Sequence, residues 1–273
     1  MSHPFHDVWW FLQRLDIVDE RGARRRLHPL HPEQRAIVDA FLAHRKIIIE
    51  KCRQIGSSTV LCALFFWKQF ISPLSQNSLH IAHDDDSAKR MIAILRGFNE
   101  GIPRRLRPRL VPDNQHQIGL SHNGAMFASL KAGGRGQGRS YTYQNVHATE
   151  MGRWTHAVAA ATAGRARADR EAWTSVLSTM HTTADSHVVV EGTAHGPGKF
   201  YDLAARAQRP DSDWTFLFFP WFFFLEYQRD PPDDWVRTDD EEELSGRYPE
   251  MGRPHEVGTA EHTEQVNRRL AWR

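Results

Sequence analysis

The stretch KIIIEKCRQIGSSTVL, Lys46 to Leu61, runs from a β-branched segment through a short polar turn into an apolar helix, with one glycine, Gly56, in the turn. Backbone N–H groups of such a turn and of a helix start converge on anionic oxygens, which is how a loop holds phosphate. A phosphate loop also needs a cation against the triphosphate charge and a hydroxyl for magnesium. No lysine follows Gly56; Ser57 stands there. The cation must then come from the front of the loop, from Lys51 or Arg53. Ser58 is in register for the magnesium hydroxyl, with Thr59 the near alternative. One glycine is a weak motif, and an unrelated strand–turn–helix has the same outline.

Three further places bear on that loop. Gln34, in LHPEQ, carries an amide that donates and accepts at once and so matches an adenine edge. Thr149-Glu150 closes an apolar strand, and ligands bind at the carboxyl ends of strands in α/β sheets, so Glu150 is placed to orient an attacking water. VVVEGTAHGPG (188–198) is another apolar strand ending in small polar residues, where Thr193 can sense a γ-phosphate. Each alone reads equally as a surface helix glutamine, a solvated strand end or a strand-to-turn junction.

The elements that must position these residues follow from periodicity. Helical spacing marks 7–15, 32–44, 57–71 and 84–98, the last with acidic residues in its first turn, where the helix dipole favours them. Strands are predicted at 46–50, 78–83, within 124–134, and at 143–150, 187–193 and 214–220, with helices at 155–166 and 198–208. Strands alternating with helices imply a mainly parallel sheet covered on both faces. Beyond Asp230 the sequence turns polar and acidic, as a linker or peripheral segment does. The run Asp239 to Glu243 reads as a solvated loop, because contiguous charges point in different directions.

Composition excludes some classes. The chain has 273 residues, is 40% hydrophobic and 25% charged, and carries a net charge of only +2, so any polyanion surface must be a local patch. The candidate patch is PRRLRPRL (103–110), with Arg104, Arg105, Arg107 and Arg109; ARRR (23–26) lies near a flexible start. Cys52 and Cys62 fit a reducing cytoplasm rather than a disulfide framework. No signal-peptide pattern opens the chain, and the apolar run 216–225 is too short to span a bilayer and is broken by Pro220. The sixteen histidines show no zinc-ligand spacing; His80 and His83 are expected on opposite sides of a strand. Trp154, Trp173 and Trp221 read as core.

Taken in order, LHPEQ, KCRQIGSST, HIAHDDDSAKRM, GRSYTYQNVHATEMGRW, VVVEGTAHGPGKFY and FLFFPWF resemble the ATPase half of the large terminase subunit of tailed bacteriophages, the motor that pumps double-stranded DNA into a procapsid. The resemblance covers roughly residues 27 to 225. It implies an α/β P-loop NTPase of the ASCE, RecA-like type that hydrolyses ATP with magnesium. By position it assigns Gln34 to adenine, and Gln54, Gly56, Ser57, Ser58 and Thr59 to the phosphate loop. The loop cation becomes Arg53, with Lys51 second. Ser58 takes the magnesium, Glu150 is catalytic, Thr193 belongs to the coupling motif, and Arg139 matches an arginine ahead of the fourth strand. Two departures stand out: Thr149 occupies a position where the family usually has aspartate, sometimes serine, so no charged side chain stands behind the metal's ligands, and His147 interrupts the usual apolar run of that strand.

The same resemblance implies double-stranded DNA, a portal protein and a small terminase subunit as partners, in the host cytoplasm and off any membrane. It implies a ring on the portal, while the sequence, with no coiled-coil heptad and no long exposed apolar helix, leads to an expected monomer for the isolated chain. It places a motor domain at 1–230, with a helical segment at 1–26, and makes 231–273 a linker toward an RNase H-like nuclease domain absent from this chain, so no DNA cleavage is expected. The rivals are a helicase-like ATPase and a catalytically weak nucleotide-binding packaging protein.

Overall fold

A computed structural model describes residues 4–18, 22–133, 141–154, 165–224, 227–252 and 260–271. The chain forms two compact units, Met1–Phe218 and Phe219–Arg273. That boundary lies earlier than the one expected after residue 230.

The first unit opens with α1 (Val8–Leu12) and a small antiparallel pair, β1 (Asp16–Val18) and β2 (Arg24–Arg26). The expectation for 1–26 is a helical segment with a flexible arginine run; Arg24 to Arg26 instead pair with Val18 to Asp16. Then come α2 (Pro32–Ala43), β3 (Lys46–Lys51), α3 (Ser57–Ile71), β4 (Asn77–Ala82) and α4 (Asp85–Gly101). Asp84 caps α4, its carboxylate accepting from the Ser87 N–H at 2.7 Å. β5 (Leu110–Asp113) and β6 (Gln117–Leu120) form a hairpin that the periodicity does not show, because four-residue strands carry too few alternations to register. β7 (Met126–Lys131), β8 (Asn145–Ala148), α5 (Arg165–Leu177), β9 (Val188–Gly192), α6 (Lys199–Ala207) and β10 (Thr215–Phe219) complete the unit. The helix expected at 155–166 falls almost wholly outside the described residues.

The sheet has eight strands in the order β10-β3-β9-β8-β4-β7-β6-β5. The pairs β3–β9, β9–β8, β8–β4 and β4–β7 are parallel, and the β7–β6–β5 end is antiparallel. The fold is therefore a mixed α/β type with a mainly parallel sheet, in which β9 is inserted between β3 and β8. Side chains alternate across each strand. Ile48, Leu79, Ile81, Val146, Ala148, Val188 and Val190 all join one apolar layer with Trp154, Trp173, Phe200 and Leu203. Each fully buried valine, leucine or isoleucine among them contributes roughly 1.5–3 kcal/mol. The intervening positions, Ser78, His80, Asn145, His147, Thr149 and Glu191, are polar yet buried. β10 is the edge strand and only half-buried.

The second unit has a small core of its own, Phe222, Met251, Val266 and Leu270. Arg269, 2% exposed, donates to the carbonyls of Phe222 and Phe224. Helices α7 (Asp239–Arg247) and α8 (Ala260–Leu270) lie in it. The acidic run is thus the first turn of α7, capped by Thr238, rather than a loop; it buries nothing and complements the helix dipole.

Candidate functional site

The turn after β3 reverses tightly enough to need left-handed backbone twice. Gln54 has φ 65° and Gly56, the N-cap of α3, has φ 72°. The left-handed φ calls for glycine here, and a Cβ would stand 2.7 Å from Gln34 Nε2 and displace that amide. Gln34 braces the turn: its Nε2 donates to the Ile55 carbonyl at 3.0 Å, and its Oε1 accepts from the His31 N–H at 3.1 Å. The amide's second N–H remains for a ligand.

Four more residues converge at the start of α3. Lys51, 6% exposed at the end of β3, donates from Nζ to Glu150 Oε1 at 2.7 Å. Glu150 adopts φ 49°, ψ 41° just beyond β8. A non-glycine residue there costs roughly 1–2 kcal/mol. Among the described residues only Gln54 and Glu150 are non-glycines with positive φ, and both sit here. Such strain collects at functional sites. Thr149 Oγ1 lies 3.4 Å from Ser58 Oγ.

The residue at the centre is Glu191, for which the sequence pattern suggests no role. It is fully buried and accepts from the hydroxyls of Ser57 and Ser58, from Thr149 Oγ1 at 3.0 Å and from His147 Nε2 at 3.2 Å. Burial pushes its carboxyl up, but Lys51, His147 and Ser57 together outweigh that and hold it well below the ordinary carboxylate range. Lys51 is its counterpart: burial works against the ammonium, while Glu191 and Glu150 hold it above the usual lysine value. Beneath Glu191, His147 Nδ1 meets His80 Nδ1 at 3.2 Å. Burial, then His147, keeps His80 neutral. A neutral His80 donating from Nδ1 requires His147 to carry its proton on Nε2, where it reaches Glu191.

Sequence spacing points away from a zinc set, yet the fold gathers Cys62, His80 and His147 with one ligand atom from each within 4.8 Å. Burial, then Glu191, pushes the Cys62 thiol up, and its Sγ contacts Met91 Sδ at 3.9 Å. This group forms the floor of the Glu191 network. Local spacing cannot reveal it, because the three residues come from α3, β4 and β8.

Arg53 is exposed and lines a cleft of about 480 Å³ with Gln54, Arg90, Arg153 and Glu150. Thr59 is half-buried in the first turn of α3. The Thr193 hydroxyl is buried without a hydrogen-bond partner among the described residues. Its backbone packs on Gly152, where a Cβ would collide with the Thr193 carbonyl. The turn after Glu150 and the end of β9 are therefore in backbone contact. Arg104, Arg105 and Arg109 are exposed. Arg107 is engaged by its own chain, donating to the carbonyls of Ile102 and Glu100. Arg139 lies outside the described residues. A larger groove of about 820 Å³, lined by Tyr141, Arg170 and Glu171 among others, holds none of the loop residues.

The donors at the loop are hydroxyl and carboxylate oxygens, which suit a hard divalent ion such as magnesium. A helix start, an adjacent ammonium and a strained carboxylate can together hold an anion and polarise a water beside it.

No protein-family model matches the sequence, and no curated protein matches it. Solved structures do. The large terminase of bacteriophage HK97 superposes with a TM-score of 0.57 at 15% identity, over 98% of this chain and 55% of that one. The ATPase domain of the large terminase of Thermus phage P74-26 gives 0.50 at 13%, over 87% and 93%. The large terminase of a thermophilic bacteriophage, in complex with ADP, gives 0.50 at 10%, over 80% and 50%. The chain thus spans about half the length of the HK97 protein and of the ADP-bound one. It shares the fold of phage large terminase ATPase domains. Among the described residues no helix is long and apolar enough to cross a membrane.

Proposed function

We propose that the first unit is the ATP-hydrolysing motor domain of a viral DNA-packaging terminase, working in the host cytoplasm on double-stranded DNA. The observation that carries this reading is the convergence of the Gly56 turn, Lys51, Ser58 and Glu150 at the carboxyl ends of β3 and β8. The loop N–H groups and the start of α3 hold the phosphates, with Lys51 and Arg53 as cations. Gln34 clamps the loop and offers its free N–H to the base. Ser58, with Thr149 beside it, holds the magnesium, which when bound offsets phosphate charge. Glu150 orients the water. To do so it must leave Lys51, whose ammonium turns to the incoming phosphates. Thr193, in backbone contact with the Glu150 turn, passes the change onward. Arg104, Arg105 and Arg109 are the DNA-contact candidates, and the portal protein and the small terminase subunit are the expected partners.

The test is turnover by the purified chain and by Glu150→Gln. The amide keeps the shape and loses the charge, so turnover falls on the order of 10²-fold or more, while fluorescent ATP-analogue binding persists. Wild-type turnover in the variant would sink the assignment. Specific activity should rise with protein concentration or on adding portal and DNA, since an arginine supplied in trans can be worth about 10³–10⁵ in rate. Supercoiled plasmid with manganese should stay uncut.

A further inference from the structure

Thr149, just beyond β8, carries no charge, yet Ser58 is not left without a carboxylate. β9 lies between β3 and β8, with Ile49 opposite Glu191 on one side and Ala148 opposite Val190 on the other. That register brings Glu191 level with Thr149 and beneath the first turn of α3. Both of its oxygens are in use: Oε2 accepts from Ser57, and Oε1 accepts from Ser58 and Thr149.

We propose that Glu191 is the positioning carboxylate of the metal site: it accepts hydrogen bonds from the hydroxyls of Ser57, Ser58 and Thr149, turning their lone pairs toward a divalent cation. It thereby supplies from β9 the negative charge that β8 lacks. This rests on the reading of the loop as a magnesium–nucleotide site. Two features decide for an indirect role. Glu191 is 0% exposed, so it acts through the hydroxyls rather than by reaching the ion. And a hydroxyl can ligate a cation only through its lone pairs, so its proton needs an acceptor on the far side. Partners of this kind orient and polarise the ligands they touch. His147, donating from Nε2, fixes the carboxylate from below.

The experiment titrates Mg²⁺ into protein with a fluorescent ADP analogue, and measures nucleotide affinity without metal in parallel. Glu191→Gln is expected to weaken apparent Mg²⁺ affinity about 10–100-fold, with metal-free nucleotide affinity unchanged. Adding Thr149→Asp to that variant returns the charge to β8 and should recover most of the loss. A residue that served only packing would not be rescued in this way. Thermal melts verify folding of each variant. Glu191→Asp, which keeps the charge but retracts it, covers the case in which the glutamine variant does not fold; it should show a smaller loss of Mg²⁺ affinity. A folded Glu191 variant with wild-type Mg²⁺ affinity overturns the proposal, and so does an equal loss of metal-free binding that Thr149→Asp does not repair. Absence of Mg²⁺-dependent nucleotide binding in the wild-type chain would instead remove the loop reading itself.

Discussion

On one face of the central strands, Ile48, Leu79, Ile81, Val146, Val188 and Val190 meet Trp154, Trp173 and Phe200 in an apolar layer. On the other face of the same strands, Ser78, His80, Asn145, His147, Thr149 and Glu191 are just as buried but polar. They are tied to α3 and to one another: Gln69 Nε2 donates to Ser78 Oγ at 2.5 Å, Lys68 Nζ to Asn145 Oδ1 at 2.8 Å, and Ser57 and Ser58 to Glu191. The apolar layer is non-directional and tolerates adjustment. The polar file is directional, and an unpaired member would carry the full cost of desolvation. One face holds the sheet together; the other fixes where α3 begins relative to the strand ends.

The difference can be broken from either side. Trp173→Ala, 3% exposed in the apolar layer, should cost about 4 kcal/mol of unfolding free energy in a denaturant titration. Nucleotide affinity of the folded fraction should stay as it was. A matching fall in affinity would mean that the two faces are not separable.

Lys51→Ala strikes the polar side. It leaves Glu191 buried without its cation and should cost about 3 kcal/mol, together with a loss of nucleotide binding. Arg53→Ala, at an exposed position, should weaken nucleotide binding with the melting temperature unmoved. If Lys51→Ala melts like the wild type, the ammonium does not neutralise the network.

Per pH unit, the smallest effect lies at the far end of the polar file. His187 stacks on Phe41 with ring centroids 4.0 Å apart, and its Nδ1 is 2.8 Å from Lys68 Nζ. Burial, then Lys68 and Arg45, lowers its pKa from 6.5 to about 3, against hydrogen bonds to the carbonyls of Phe41 and Asp185. The folded state thus keeps the ring neutral where the unfolded chain takes up a proton. The stability this contributes is complete above pH 6.5 and is lost as pH falls from there toward about 3. The slope should reach about 1.4 kcal/mol per pH unit, read from denaturation midpoints, and His187→Asn should remove it. An unchanged slope in that variant would place the acid sensitivity elsewhere.

Much of this protein follows from local pattern. The alternation of apolar strands and amphipathic helices determined the α/β class, because period and composition act within a few residues. The bounds of α3, predicted at 57–71, match the helix observed at Ser57–Ile71. The Gly56 turn and Glu150 at a strand end were legible for the same reason: turn chemistry and strand ends are local. A trace of the polar face was legible too, since Ser78 and His80, and Asn145, His147 and Thr149, recur at spacing two within otherwise apolar strands. Their common destination was not. Glu191 gains its partners only because β9 is inserted between β3 and β8, and strand order is a long-range property that no window of sequence contains. The pairing of Lys51 with Glu150 spans 99 positions, and the meeting of Cys62, His80 and His147 likewise depends on three separate elements. Burial then gives these contacts their weight, by removing the water that would otherwise screen each charge.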